Sequence, residues 1–188
     1  ERMDRVRQGV SRIGQGLSQL RIASALASAG TAISVKTFAD FEKQIAIVAS
    51  VSGATSEQQA ALAAAAKKAG ATTAFTAVQA GEALEFLAQA GFTVDQQIKT
   101  LPAVLALASA GSLDLGRASD ILTSAMTSMR LPAEEAKRAA DVFALASAAT
   151  NTDVQQLGEA FTYAAPTLAG LNISIEEGAG LLGLLANA

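Results

Sequence analysis

The segment Thr76-Ala-Val-Gln79-Ala-Gly-Glu82-Ala-Leu-Glu85-Phe-Leu87-Ala-Gln-Ala-Gly91-Phe-Thr93-Val-Asp-Gln96 sets the pattern for most of the chain. It holds two capping signatures. In a capping box a Ser or Thr hydroxyl accepts a backbone N–H three residues on, and a Gln or Glu at that third position reaches back to the first N–H. Thr76 with Gln79 fits, and Thr93 with Gln96 fits again. Gly91 stands between them, where a helix ends most cheaply in a left-handed residue. The segment therefore predicts a short helix, a tight break and the start of the next helix.

The same grammar extends outward in both directions. Ser56-x-x-Gln59, Thr152-x-x-Gln155 and Ser174-x-x-Glu177 are further capping patterns, Gly70 and Gly111 are further candidate helix ends, and Pro132 suits a first helical turn. The apolar spacing agrees. Leu115, Ala118, Leu122, Ala125 and Met129 form one stripe, and Val154, Leu157, Phe161, Ala164 and Leu168 another. No useful stretch alternates like a strand, and Thr72 to Thr76 reads as a connector. The sequence predicts eight or nine helices and an all-α fold, with residues 53–188 as a multi-helix bundle of short capped helices. The phrase Leu-Ala-x-Ala recurs near 87, 107 and 145, but its irregular spacing reads as shared composition rather than an internal repeat.

Residues 1–52 read differently, as an N-terminal coiled-coil-like segment. Met3, Val6, Val10, Ile13, Leu17 and Leu20 are spaced 3, 4, 3, 4, 3, a heptad seam that keeps one apolar stripe facing a partner helix. Two partners suit it: a second copy of the chain, favoured as a trimer with a sixfold arrangement as the alternative, or the chain's own helices. Further on, Phe38, Phe41, Ile45 and Val48 form a stripe opposite Lys36, Asp40 and Lys43.

Composition narrows the function classes. Of 188 residues, 51% are hydrophobic but only 4% aromatic, and alanine dominates. Alanine buries little area and has the highest helix propensity, so thin helices packed closely are expected. The formal net charge is −3, from 14 basic and 17 acidic residues, which argues against nucleic acid as a specific partner. The five Arg within residues 1–21 read as a solvated helix face. There is no Cys and no His, which removes thiolate ligands and the commonest general base and metal ligand. The uncharged run Ile22 to Val35 is 14 residues, short of the roughly 20 that a membrane-spanning helix needs. The chain starts with Glu1 and ends at Ala188 in an apolar run, as expected of a piece of something longer.

Candidate chemistry is thin. Gly178-Ala-Gly-Leu-Leu-Gly183 matches G-x-G-x-x-G, but a dinucleotide site needs a strand before it, and here the cap at Ser174 already starts a helix. Asn172-Ile-Ser174 fits a glycosylation sequon, yet Ser174 has a capping role. Glu82 with Glu85, Glu134 with Glu135 and Glu176 with Glu177 are paired carboxylates, mainly near helix starts where the helix dipole favours them. No nucleophile, metal-ligand set or cofactor loop is present, so an enzyme reading has nothing positive behind it.

One resemblance adds to this. Val35-Lys-Thr-Phe-Ala-Asp-Phe-Glu-Lys-Gln44, Ser52-Gly-Ala-Thr55, Lys67-Lys-Ala-Gly-Ala-Thr-Thr-Ala-Phe-Thr76, Ala83-Leu-Glu-Phe-Leu-Ala88, Leu101-Pro-Ala-Val-Leu105, Asn151-Thr-Asp-Val154 and Leu157-Gly-Glu-Ala-Phe-Thr-Tyr-Ala-Ala-Pro166 follow one another in an order that resembles the core region of the phage tail tape-measure family. The resemblance covers about residues 30 to 188. It implies a structural protein of the tail lumen that sets tail length and leaves before the genome. It also implies association in several copies, contact with tail-tube and tail-tip or baseplate hub proteins, residence in the host cytoplasm during assembly, and an encounter with the host inner membrane during ejection. Two rival readings are a generic helical interaction domain and a membrane-active channel segment, the latter suggested by Ala/Gly/Leu stretches that permit close packing in lipid.

Overall fold

The computed structural model describes residues 36–186, and among them all regular structure is helical. The elements are α1 (36–52), α2 (Ser56–Thr72), α3 (Ala77–Gln89), α4 (Val94–Gly111), α5 (Leu115–Ser128), a 3₁₀ turn (Ala133–Glu135) leading into α6 (Ala136–Ala149), α7 (Val154–Gly170) and α8 (Ile175–Leu185). The chain divides into two units between Glu42 and Lys43, inside α1.

Within the unit that begins at Lys43 the helices form two layers. α3, α5 and α7 lie side by side in one, and α2, α4, α6 and α8 in the other. Each helix packs on its neighbours in its own layer and on its hairpin partner in the other. The all-α expectation holds, with a more regular arrangement than a generic bundle: a stack of helical hairpins.

The caps carry the period of this stack. First-layer helices start from Thr76, Asp114 and Asp153, in steps of 38 and 39 residues. Second-layer helices start from Thr55, Thr93, Pro132 and Ser174, in steps of 38, 39 and 42. Val104-Leu-Ala-Leu-Ala-Ser109 on α4 returns as Val142-Phe-Ala-Leu-Ala-Ser147 on α6. Two of the three Leu-Ala-x-Ala phrases, at 107 and 145, therefore sit at equivalent places in stacked helices. The reading of these phrases as mere shared composition is corrected. The phrase at 87 is on the other layer, and this made the spacing look irregular.

Local chemistry explains most helix boundaries. Capping boxes at Thr76, Thr93 and Ser174 form as expected. Two others are displaced by one residue. Thr55, not Ser56, caps α2 and exchanges hydrogen bonds with Gln58. Asp153, not Thr152, caps α7 by accepting the Gln156 N–H at 2.7 Å. In both places two capping residues stand side by side, and the three-residue spacing alone does not choose between them. Gly91 takes the expected left-handed conformation (φ 86°). Gly111 and Gly70 do not: Gly111 is the last residue of α4 and Ser112 makes the turn (φ 51°), while Gly70 lies inside α2. A methyl group at Gly70 would come within 2.5 Å of the Ala77 backbone nitrogen, so this glycine permits close approach between α2 and the start of α3.

The core fits an alanine-rich composition. Ala66, Ala80, Ala83, Ala118, Ala139, Ala165 and Ala179 are fully buried, which lets helices approach closely around a few larger side chains. Phe143 of α6 and Phe161 of α7 meet edge to face with ring centroids 5.2 Å apart. Leu115, Ala118, Leu122 and Ala125 are buried as their spacing predicts, as are Val154, Leu157 and Phe161. At Gly158 a methyl group would stand 2.6 Å from the Ile121 side chain, so this glycine sets the spacing of α5 and α7. Gln97 is a fully buried polar residue that sequence reading missed. Its Nε2 donates to the Phe92 carbonyl at 2.7 Å and to Ser52 Oγ at 2.9 Å, tying α4 to the preceding turn and to the end of α1.

Candidate interaction surfaces

The heptad seam Met3, Val6, Val10, Ile13, Leu17 and Leu20 lies outside the described residues, so the surfaces that can be described belong to the hairpin stack. The joints between successive hairpins repeat one contact. At the α4–α6 joint, Lys99 Nζ donates to Glu134 Oε1 at 2.6 Å. At the α6–α8 joint, Arg138 Nη1 donates to Glu176 Oε1 at 2.8 Å, and its Nη2 also pairs with Glu135. In each case the cation sits six residues after its helix cap and the carboxylate two residues after the next cap.

These pairs are solvent-exposed, and their electrostatics follow from proximity. The hydrogen bond and charge of Glu134 raise the Lys99 pKa, and the Lys99 hydrogen bond lowers that of Glu134. Glu135, chiefly, raises the Arg138 pKa. The Ser174 backbone N–H lowers the Glu177 pKa by hydrogen-bonding to its carboxylate. In the other layer Arg117 pairs with Glu159 across α5 and α7, and Gln44 Nε2 donates to Glu85 Oε2 at 2.7 Å. Most of the paired carboxylates singled out in the sequence are thus engaged in capping or in joining helices. Among the described residues no group of three or more His, Cys, Asp or Glu is placed to hold a metal ion.

The glycine motif at 178–183 lies within α8 and serves packing. A methyl group at Gly178 would meet the Leu168 side chain at 2.6 Å, and one at Gly183 would meet Thr150 at 2.8 Å, while Gly180 faces open space. Asn172 of the sequon makes the left-handed turn between α7 and α8 (φ 56°).

The α2–α4 joint differs from the other two in its layer. The equivalent positions hold Ala61 and Asp95, so the ion pair is absent. An open apolar groove of about 440 Å³ runs there, lined by Ala61, Ala64 and Ala65 of α2 and by Ile98, Pro102 and Leu105 of α4, with Lys68 along its edge. At the other end of the stack, α8 leaves Leu181, Leu184 and Leu185 exposed, at 51%, 65% and 70%. Tyr163 on α7 is 87% exposed. Among the described residues no single helix is long and apolar enough to cross a membrane; α4 and α5 together pass that test only as a pair bent by 118°.

Residues 63–188 match the family model described as phage-related minor tail protein. The chain belongs to the phage-related minor tail protein family. The hairpin stack, its capped joints and its exposed leucines are therefore features of a phage tail protein. Two curated relatives are similar across most of this chain. It is 36% identical to the tape measure protein of Pneumococcus phage Dp-1 over 157 residues, covering 84% of this chain and 14% of that protein. It is 30% identical to the probable tape measure protein of Escherichia phage P2 over 169 residues, covering 87% of this chain and 21% of that protein. The chain thus spans about a seventh and a fifth of the lengths of these relatives. No solved structure matches it.

Proposed function

We propose that this chain acts within a tail tape measure: a helical structural element in the lumen of a phage or phage-like tail that helps fix tail length, contacts tail-tube and tail-tip or baseplate hub proteins, and leaves ahead of the genome. The observation that carries this reading is similarity to two tape measure proteins over more than four-fifths of the chain. The residues support a division of labour. A continuous helix advances about 1.5 Å per residue, so a rod converts chain length into distance efficiently. A stacked hairpin advances only about one interhelical spacing, roughly 8–10 Å, for a whole period. Residues 1–52, with a heptad seam from Met3 to Leu20, suit the measuring rod. The stack suits an attached module that organises contacts.

The apolar faces of α4 and α5 are already buried in the stack, so a membrane role would need the stack to come apart. Electron cryo-microscopy of tails carrying a compact tag fused to this region tests the proposal. Tag density on the tail axis inside the tube, lost after genome ejection, is expected. Tag density on the outer surface, or retained after ejection, would contradict it.

A further inference from the structure

The joint between the α2–α3 hairpin and the α4–α5 hairpin is built differently from the next one along the stack, and in the same way in both layers. In the second layer the repeated ion pair joins a cation six residues after one cap to a carboxylate two residues after the next. Between α2 and α4 the carboxylate is there, Asp95, but Ala61 stands in the place of the cation. In the first layer Arg117, three residues after its cap, pairs with Glu159, six residues after the next. Between α3 and α5 the carboxylate is again there, Asp120, and Gln79 stands in the place of the cation. Both cations are missing at this joint, and both are present at the next.

Packing follows the same division. α4 packs more extensively on α6 than on α2. On the α2 side the apolar groove stays open, where alanines face Ile98, Pro102 and Leu105. An exposed ion pair stabilises little by itself, but it holds two helices in one relative position. An unfilled groove leaves the facing atoms without dispersion contacts. α4 is also less well bonded along this stretch. Pro102 has no N–H to donate to the Ile98 carbonyl, and among the described residues the buried Thr100 hydroxyl has no hydrogen-bond partner. One edge of the joint is tied: Gln97 holds the Phe92 carbonyl in the α3–α4 turn and Ser52 at the end of α1. The groove runs from that edge towards Thr72 and Thr73 at the far end of α2.

We propose that the stack flexes at this joint. The α2–α3 hairpin tilts as one body on the α4–α5 hairpin, pivoting at the Gln97 edge and opening or closing the groove at the far edge. Gly70 lets α2 sit directly against the start of α3, so the moving hairpin keeps its own contacts. The α4–α5 and α6–α7 hairpins, joined by ion pairs in both layers, move together. Such a hinge changes the angle between packed units without unfolding either. This inference does not rest on the tape-measure reading.

The chain has no cysteine, so spin labels can be placed at chosen pairs. Lys68, Ala106 and Leu145 are exposed, and each lies thirteen residues after Thr55, Thr93 and Pro132 respectively. Double electron–electron resonance on Lys68→Cys with Ala106→Cys reads the proposed hinge. Ala106→Cys with Leu145→Cys reads the clamped joint from equivalent positions. The first distance distribution should be about twice as broad as the second, or more. Ala71, Ser109 and Ala148, exposed and sixteen residues after the same three positions, give a second set that should show the same contrast, so one perturbing label does not decide the result. Ala61→Lys supplies the missing cation opposite Asp95 and should narrow the hinge distribution towards that of the clamped joint. Ala60→Lys, at an exposed neighbouring position that does not line the groove, should leave it broad. Circular dichroism should show the same helix content in each. Equal widths at the two joints in both label sets would overturn the proposal, as would a broad hinge distribution that Ala61→Lys narrows no more than Ala60→Lys does.

Discussion

Lys99 and Arg138 occupy the same place in successive hairpins: each lies six residues after its helix cap and each reaches a carboxylate two residues after the next cap, Glu134 and Glu176 respectively. This relationship marks the equivalence of the two joints in the stack. It also yields a pH dependence. Glu134 has a lowered pKa, so its pair contributes stability that is fully present above the ordinary glutamate value of 4.5 and is lost as pH falls through the lowered folded-state value. Lys99 has a raised pKa, so its contribution is present below 10.5 and is lost as pH rises through the raised value. Glu134→Gln should therefore flatten the acid limb of a melting-temperature profile and abolish the alkaline loss that comes from Lys99. Because both groups are exposed, the effect at neutral pH should be small.

The cap assignments predict a contrast between neighbours. Thr55→Ala should destabilise the chain by about 1 kcal/mol, and Ser56→Ala should change it far less. Asp153→Ala against Thr152→Ala should behave in the same way. Chemical denaturation measures both. Equal losses within either pair would mean that the caps have been placed on the wrong residue.

Two glycines predict opposite signs. Gly158→Ala places a methyl group 2.6 Å from Ile121 and should cost about 1–3 kcal/mol, because three Ile121 side-chain atoms lie within 2.7 Å and α5 and α7 would have to separate. Gly180→Ala meets nothing within 4 Å and should stabilise the helix by about 1 kcal/mol. Phe143→Ala, which removes one ring of the buried aromatic pair, should cost about 3–5 kcal/mol. In thermal melts Gly180→Ala should have the highest midpoint, Gly158→Ala a lower one and Phe143→Ala the lowest.

The all-α fold was legible because capping hydroxyls and helical apolar spacing agreed along the whole chain after Gly53. The exact caps were not legible at Thr55-Ser56 and Thr152-Asp153, because adjacent hydroxyl or carboxylate side chains compete for the same orphan N–H groups. The hairpin period was present in the sequence but hidden in the wrong feature. Leu87 belongs to one layer and Leu107 and Leu145 to the other, so comparing all three mixes two registers. Comparing like with like, Thr76 with Asp114 and Thr93 with Pro132, recovers the period. The Arg138 and Lys99 pairings were not legible, because they join residues 35 and 38 positions apart through a packing that only the stack defines. Gln97 was missed for a related reason: its partners, Ser52 and the Phe92 carbonyl, come together only when α1 and α4 do.

The repeat makes a demanding prediction about deletion. Removing residues 114–152 takes out one period and places the Asp153 cap directly after Leu113. α4 then meets α8, and Lys99 meets Glu176 in the geometry that Arg138 provides in the intact chain. The shortened chain should remain helical and melt cooperatively, and Lys99→Cys with Glu176→Cys should form a disulfide in it but not in the full chain. A shortened chain without a cooperative transition would mean that the hairpins are not equivalent units.

The most direct test of the account is the length of tails assembled when residues 1–188 are duplicated in tandem within the protein that carries them. A tape measure converts added chain into added tail. The account predicts uniformly longer tails, with any added continuous helix contributing about 1.5 Å for each residue and the added stack contributing roughly one interhelical spacing per hairpin. Electron microscopy of many particles gives that length with a narrow distribution. Tails of unchanged length from particles that have incorporated the longer protein would contradict the account.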